Sequence, residues 1–470
     1  MEGKWANMRR LAALLFGIAF CLSFVPASRA EAEEDAEYDG YLVSCPTASL
    51  QESGALPLRG AVRLEHVAGD VYWTPSESVA DYLLESGRAD YIEPNYVATL
   101  FDTDGAPSGD GWPHEALRTD AARALGLDGS GIRVGVIDSG VDLGNPDLTQ
   151  ANILEGYDYI VKTTQMSDDV SHGTKVAQLL CGDDNGRGVT GIAPACELVP
   201  LRCFSNTHSA TIAELAQALA DAVALYRCDV VNMSWGLAND SETLRRAVHD
   251  AHTAGVTLVA AAGNVSSMFT QGKPVYPAAY DEVVSVASIR EDLSIAGNSI
   301  QNAGVTVCAP GVDIPFVAAN GGETRGSGTS FAAPCVSAEM ALLRQYANLD
   351  GAQCFALLRD RSLDLGSEGR DDAFGYGLPR LDLLLRRTHS SLAGGAFSAS
   401  VLRQGGAGSF LALAAYDAQG RMAAAQTVHA SGGYSSASCA LPEGAAQCAA
   451  FFLDEAMCPL SEPYRFDLSG

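Results

Sequence analysis

Between Trp112 and Arg387 the chain repeats one unit, a short apolar run followed by a helical pattern, and this alternation restricts the fold more than any other feature. GIRVGVIDSG reads as a strand that is apolar on both faces, as a sheet covered by helices on both sides requires. TIAELAQALADAVALYR is an Ala- and Leu-rich helix leading into the strand DVVNMSW, and SETLRRAVHDAHTAG is the next helix, leading into VTLVAAAGN. Strands joined by helices run parallel, so the expectation is an α/β fold with a doubly wound, mostly parallel sheet. Each strand ends in polar or glycine-rich residues, and open parallel sheets gather their ligand sites at those carboxyl ends.

The flanking regions differ. Residues 1–30 read as a signal peptide: Lys4, Arg9 and Arg10 precede an apolar run from Leu11 to Val25, and Ser28 and Ala30 fit cleavage after Ala30. The alternative, a membrane anchor, needs a longer run. Residues 31–110 form an α+β domain with a linker: YLVSC and AVRLEHV are strands, ESVADYLLESG a helix, ADYIEPNYVATL a closing strand and FDTDGAPSGDG an exposed connection. Residues 111–388 are the α/β unit. In residues 391–470, runs such as FLALAAYDA, RMAAAQTV and CAAFFLDE are separated by Gly, Ser and Pro, which predicts a small all-β module of the β-sandwich type.

A formal charge of -27 excludes a nucleic-acid partner, since most of the surface would repel a phosphate backbone. The twelve cysteines fall in odd-numbered groups without a C-x-x-C pair, which argues for free thiols rather than a disulfide framework or a zinc site.

Three strings carry chemistry. VIDSGVD places Asp138 at the end of a buried strand, SHGTKVAQLL places His172 at a helix start, and GSGTSFAAPCVSAEMALL places Ser330 at another. Acyl transfer needs a nucleophile, a base that takes its proton and a carboxylate that holds the base in one tautomer, and these residues supply the set. AAAGN ends a strand on Asn264, whose side-chain N–H could meet a developing oxyanion together with the Ser330 backbone N–H.

VIDSGVD, HGT and GTSFAAP, in that order and with NMSWG and AAGN between the last two, resemble the subtilisin-like (subtilase) serine proteases from about Trp112 to Leu383. The resemblance implies a secreted endopeptidase in which Ser330 is the nucleophile, His172 the general base, Asp138 its orienter, and Asn264 with the Ser330 amide the oxyanion hole. It implies that Ser234, Trp235 and Gly236, with Ala261, Ala262 and Gly263, bind an extended substrate backbone and wall the primary pocket. YIEPNYVATL resembles the close of an inhibitor-like propeptide, which predicts self-cleavage between Leu100 and Trp112; a permanent N-terminal domain is the alternative. No cofactor is needed for the chemistry, and relatives suggest structural calcium, for which Asp183, Asp184 and Asn185 in DDNGRG are the candidates. Protein or peptide substrates and the chain's own propeptide are the expected partners. The C-terminal module, similar to small immunoglobulin-like modules of exported proteins, could bind a cell surface or a protein. Lys175 after HGT and Cys335 after AAP depart from the family pattern. Asn239 and Asp240 follow SWG, and no Asp or Glu lies between Asn264 and Tyr280, which points away from cleavage after Arg or Lys. A pseudoenzyme that binds peptides and a hydrolase or transferase of another acyl substrate are the rival readings.

Overall fold

A computed structural model describes residues 28–29, 38–46, 64–101, 103–104, 111–266, 268–393, 395–406, 408–430 and 433–468. The predicted signal peptide lies almost wholly outside these residues, as does much of the linker before Trp112. The chain divides into two units, Met1–Asn95 and Tyr96–Gly470.

In the first unit β1 (Tyr38–Ser44), β2 (Glu65–Ala68), β3 (Val71–Thr74) and the start of β4 (Tyr91–Leu100) pair in the order β4-β1-β3-β2. Helix α1 (Glu77–Glu85) buries Val79, Ala80 and Leu83 in a cluster with Val43 and Ile92, giving the expected α+β arrangement. The strand β3 was not anticipated. It is the return limb of a hairpin turned at Gly69-Asp70, where Gly69 has φ 56°.

The second unit is built on β5 (Arg133–Asp138), β6 (Tyr157–Asp158), α2 (His172–Cys181) and β7 (Glu197–Arg202). Next, β8 (Ser209–Thr211) runs directly into α3 (Ile212–Ala224), where Thr211 and Glu214 form a reciprocal capping box. Then come β9 (Val230–Met233), β10 (Trp235–Gly236) and α4 (Glu242–Thr253), whose N-cap Ser241 accepts from the Leu244 N–H. Last are β11 (Thr257–Ala261), β12 (Val283–Ile289), β13 (Val307–Pro310) and α5 (Thr329–Ala347).

The seven-stranded sheet has the order β13-β12-β11-β9-β5-β7-β6, and every described pair is parallel. Chain order reverses at β5, so the carboxyl ends of β5 and β9 flank the switch point where such sheets bind ligands. Helix α5 buries Phe331, Val336, Met340, Leu342 and Leu343. Each such side chain contributes roughly 1.5–3 kcal/mol, and together they fix the helix that carries Ser330.

After the α/β body, Thr388–Ala393, Ala396–Leu402 and Tyr434–Ala440 form one antiparallel sheet. Ser409–Asp417, Met422–Ala430, Ala445–Asp454 and Tyr464–Asp467 form a second. Phe397 of one sheet meets Phe466 of the other with ring centroids 5.4 Å apart, over a core that includes Val401, Leu411 and Phe452. Arg361 joins this sandwich to the body. It is 2% exposed, donates from Nε to Ser400 Oγ at 3.0 Å and lies 5.5 Å from the Tyr434 ring centroid. The eleven described cysteines are all free thiols.

Candidate active site

Asp138 is the last residue of β5 and is fully buried. Its Oδ1 accepts from the Ser139 N–H at 2.7 Å and pairs with His172 Nδ1 at 2.7 Å. A carboxylate can only accept, so Nδ1 carries the proton and Nε2 is left as the basic nitrogen of the neutral ring. This close approach requires glycine at position 173, because a Cβ there would lie 2.1 Å from the Gly140 carbonyl oxygen. Gly140 itself has φ 99°, and a Cβ on it would lie 1.9 Å from the Ser167 carbonyl oxygen.

A second carboxylate, missed in the sequence, ties these segments together. Asp168 accepts from Ser139 Oγ at 2.8 Å, from the Ser171 N–H at 2.8 Å, and from Thr174 N–H and Oγ1 at 2.9 and 2.5 Å. Ser139 Oγ in turn accepts from the Gly173 N–H at 2.9 Å. Burial pushes the Asp168 carboxyl above its ordinary range, while the Thr174 donors pull it the other way.

Ser330 is the second residue of α5. Its Oγ donates to the Ser234 carbonyl at 2.9 Å and accepts from the Phe101 N–H at 3.2 Å. A hydroxyl has one proton, so here that proton points to Ser234 rather than to the imidazole. The His172 ring packs on the neighbouring Phe331, with centroids 5.7 Å apart. A buried chain of hydrogen bonds braces the turn: Ser337 Oγ to Asn232 Oδ1 (3.0 Å), Asn232 Nδ2 to Ser234 Oγ (2.9 Å), and Ser234 Oγ to the Ser330 carbonyl (2.8 Å). Asn232 and Ser337 were not singled out in the sequence, where each looks like an ordinary strand or helix residue.

Asn264 Oδ1 accepts from both the N–H and the Oγ1 of Thr329, each at 3.1 Å. A backbone N–H only donates, so the amide orientation is determined, and Nδ2 faces the other way. That Nδ2 has no hydrogen-bond partner among the described residues, although Asn264 is only 7% exposed. Leaving such a donor unpaired costs about 1–3 kcal/mol, a cost that an incoming anionic oxygen removes.

Ser234, Trp235, Gly236, Ala261, Ala262 and Gly263 are all buried around this point. The end of β4 lies between β8 and β10 as an antiparallel strand, with Val97, Ala98 and Thr99 opposite Thr211, Ala210 and Ser209, and Thr99 and Leu100 opposite Gly236 and Trp235. Farther on, Thr103–Asp104 pairs antiparallel with Gly326 and Ser327. Val97–Leu100 is thus an extended segment held on both sides, and Phe101 after it reaches Ser330.

The Asp183 carboxylate is already occupied by Thr149 N–H and Oγ1 at 3.0 and 2.6 Å and by the Gln150 N–H at 3.1 Å. Beside it Asp147 is fully buried, with Oδ2 unpartnered among the described residues and its carboxyl pushed up to about 6 by burial. Asn185 Nδ2 donates to Asp147 Oδ1 at 2.8 Å, which leaves Asp147 Oδ2 as the carboxylate oxygen that a hard cation would meet. Of the departures, Lys175 Nζ lies 5.9 Å from the Phe331 ring centroid. Cys335 is fully buried and donates to the Phe331 carbonyl at 3.3 Å, and burial raises its thiol well above the ordinary value, as for an inert core residue.

The model of the subtilase family matches residues 129–377, the stretch that carries every one of these side chains except those of β4 and Phe101. The chain belongs to the subtilase family. This subtilase is 37% identical over 303 residues to the minor extracellular protease Epr of Bacillus subtilis, covering 61% of this chain and 45% of that one. The chain therefore matches less than half of that relative's length. It is 32% identical to subtilisin DY of Bacillus licheniformis, covering 56% of this chain and 92% of the other. The fold is also that of fervidolysin from Fervidobacterium pennivorans, with a TM-score of 0.65 at 22% identity over 94% of this subtilase and 78% of that chain.

Proposed function

We propose that this subtilase is a secreted serine endopeptidase that matures by cutting its own precursor and then hydrolyses extended polypeptides. The observation that carries this reading is the strand Val97–Leu100 laid between β8 and β10, with the following residue, Phe101, donating its N–H to Ser330 Oγ. A peptidase holds its substrate in this way, through ladder hydrogen bonds that only an extended backbone can make.

In the proposed reaction Ser330 Oγ turns from the Ser234 carbonyl to His172 Nε2, transfers its proton there and attacks the substrate carbonyl carbon. Asp138 holds the Nδ1 proton and stabilises the imidazolium. The oxyanion receives the Asn264 Nδ2–H and the Ser330 N–H. His172 then protonates the departing amine, and water hydrolyses the acyl-enzyme by the same path in reverse. Residues 1–30 serve export, residues 31–110 act as an intramolecular inhibitor with its linker, and the C-terminal sandwich is an appended module that binds a surface or protein or stabilises the body. Calcium, held in part by Asp147 Oδ2, would neutralise a buried carboxylate and has no part in the chemistry.

The test is the Ser330→Ala precursor produced in a protease-deficient host. A full-length product beside a shortened wild type supports self-maturation, whereas normal processing of the variant would refute it.

A further inference from the structure

We infer that Phe269 is the residue that sets the choice of side chain in the primary pocket of this chain, through its edge-to-face contact, and that the precursor is cut between Phe101 and Asp102. The inference rests on the peptidase reading and goes beyond it to a specificity-determining residue and the bond.

The strand pairing sets the register. Thr99 is opposite Gly236 and Leu100 opposite Trp235, so the next step along the two antiparallel strands sets Phe101 beside Ser234, whose carbonyl accepts the Ser330 hydroxyl. The Phe101 side chain is 4% exposed. Its ring fills the space over Gly236, where a Cβ would come within 2.7 Å of Phe101 Cζ. Val275 lies against both Gly236 and Gly263, so the walls predicted from the sequence meet an aliphatic floor. Phe269 closes the remaining side, with its ring edge-to-face with that of Phe101 at 4.9 Å and 77°.

That aromatic wall is built into the fold. The Ser266 N–H donates to the Phe269 carbonyl at 2.9 Å, and the Phe269 N–H donates to Ser266 Oγ at 3.2 Å, closing a tight loop. Gln271 Nε2 then anchors the loop to the Ser299 carbonyl at 2.8 Å. The acidic residue nearest the pocket wall in sequence, Asp240, accepts from Tyr280 Oη at 3.0 Å and pairs with Arg245, so its charge is already matched. A cationic side chain entering this apolar, aromatic space would lose its water without gaining a counter-ion. A phenyl ring gains the edge-to-face contact in addition to burial.

In the precursor the reaction balances as follows. Ser330 Oγ bonds to the Phe101 carbonyl carbon and its proton passes to His172. The bond to the Asp102 nitrogen breaks, and that nitrogen leaves as an amine carrying the proton. Water then cleaves the ester, giving the Phe101 carboxylate and restoring the Ser330 hydroxyl. The new carboxylate remains in the pocket as bound product until the N-terminal segment departs.

Intact mass and N-terminal sequencing of the matured wild type locate the bond, and matched peptide substrates with Phe, Leu or Arg before the scissile bond measure the choice. A mature N-terminus at Asp102, with kcat/KM for Phe about tenfold or more above Leu and far above Arg, supports the inference. Phe269→Ala should cut the Phe-to-Leu ratio by about five- to tenfold, and Phe269→Tyr should restore the ratio. An active enzyme with its N-terminus at Phe101 or elsewhere, a preference for Arg, or an unchanged ratio in Phe269→Ala would overturn this inference alone. A chain that cleaves nothing and whose Ser330 takes up no serine-directed probe would overturn the peptidase reading with it.

Discussion

Thr329 holds Asn264 by two hydrogen bonds to the same side-chain oxygen, and this fixes the amide so that its Nδ2–H group is left without a partner among the described residues. Replacing Asn264 with Leu should lower kcat by about 100- to 1000-fold with little change in KM, the loss known for such a donor in a subtilisin. Thr329→Val keeps the backbone donor and loses only the hydroxyl, so its kcat should fall much less. Steady-state kinetics on one peptide substrate separates the two, and equal losses would contradict a positioning role for the Thr329 backbone.

Asp138 Oδ1 is shared by the Ser139 N–H and His172 Nδ1. Asp138→Asn keeps the shape but can present an N–H to the ring, favouring the tautomer whose Nε2 is protonated. The expected outcome is a fall in kcat of about 10,000-fold at neutral pH, as in other Ser-His-Asp enzymes, with the thermal midpoint nearly unchanged.

Much of this arrangement was legible because Asp138, His172, Ser330 and Asn264 each lie at a strand end or helix start, within short strings that include glycine. The alternation of strand and helix likewise prescribed the parallel sheet. Asp168, Asn232 and Ser337 were not legible, since their meaning lies in partners far along the chain: Ser337 meets Asn232 across 105 positions. The partners of the Asp183 carboxylate were not legible for the same reason, because it faces Thr149, 34 positions earlier. Nothing in the spacing around Phe269 announces a pocket wall, and only the folded loop brings it to Phe101.

Glu339, in the middle of α5, is fully buried with neither carboxyl oxygen hydrogen-bonded among the described residues, and burial raises it well above its ordinary value. It is therefore neutral in the folded chain at a pH where the unfolded chain has ionised it. The folded state binds the extra proton, so its contribution to stability is fully present below the ordinary value of 4.5 and declines as pH rises towards the folded value. The decline is about 1.4 kcal/mol per pH unit. In a Ser330→Ala background, Glu339→Met should raise the urea midpoint more at pH 8 than at pH 5. An equal shift at both would contradict a buried neutral acid.

Asp147 offers its unpaired oxygen beside Asn185. Chelation of calcium should lower the thermal midpoint of the protein, added calcium should restore it, and Asp147→Ala should abolish that response in differential scanning fluorimetry.

Arg361 spans the junction between the body and the C-terminal sandwich: it donates to Ser400 and to the Leu384 carbonyl, while Tyr434 Oη donates to Asp360 at 2.6 Å. Arg361→Ala should destabilise the chain by about 2–4 kcal/mol, because buried acceptors lose their donor and the Tyr434 ring loses its cation. Limited proteolysis should then cut near Arg387, ahead of the sandwich, while the wild type resists.

The central claim is that Ser330 is a nucleophile activated by His172. Treating the matured protein with a fluorophosphonate and mapping the adduct by peptide mass spectrometry tests it directly. The expected result is a single stoichiometric adduct on Ser330 that disappears in His172→Ala; a matured wild type left unlabelled at Ser330 would show that Ser330 is not the nucleophile.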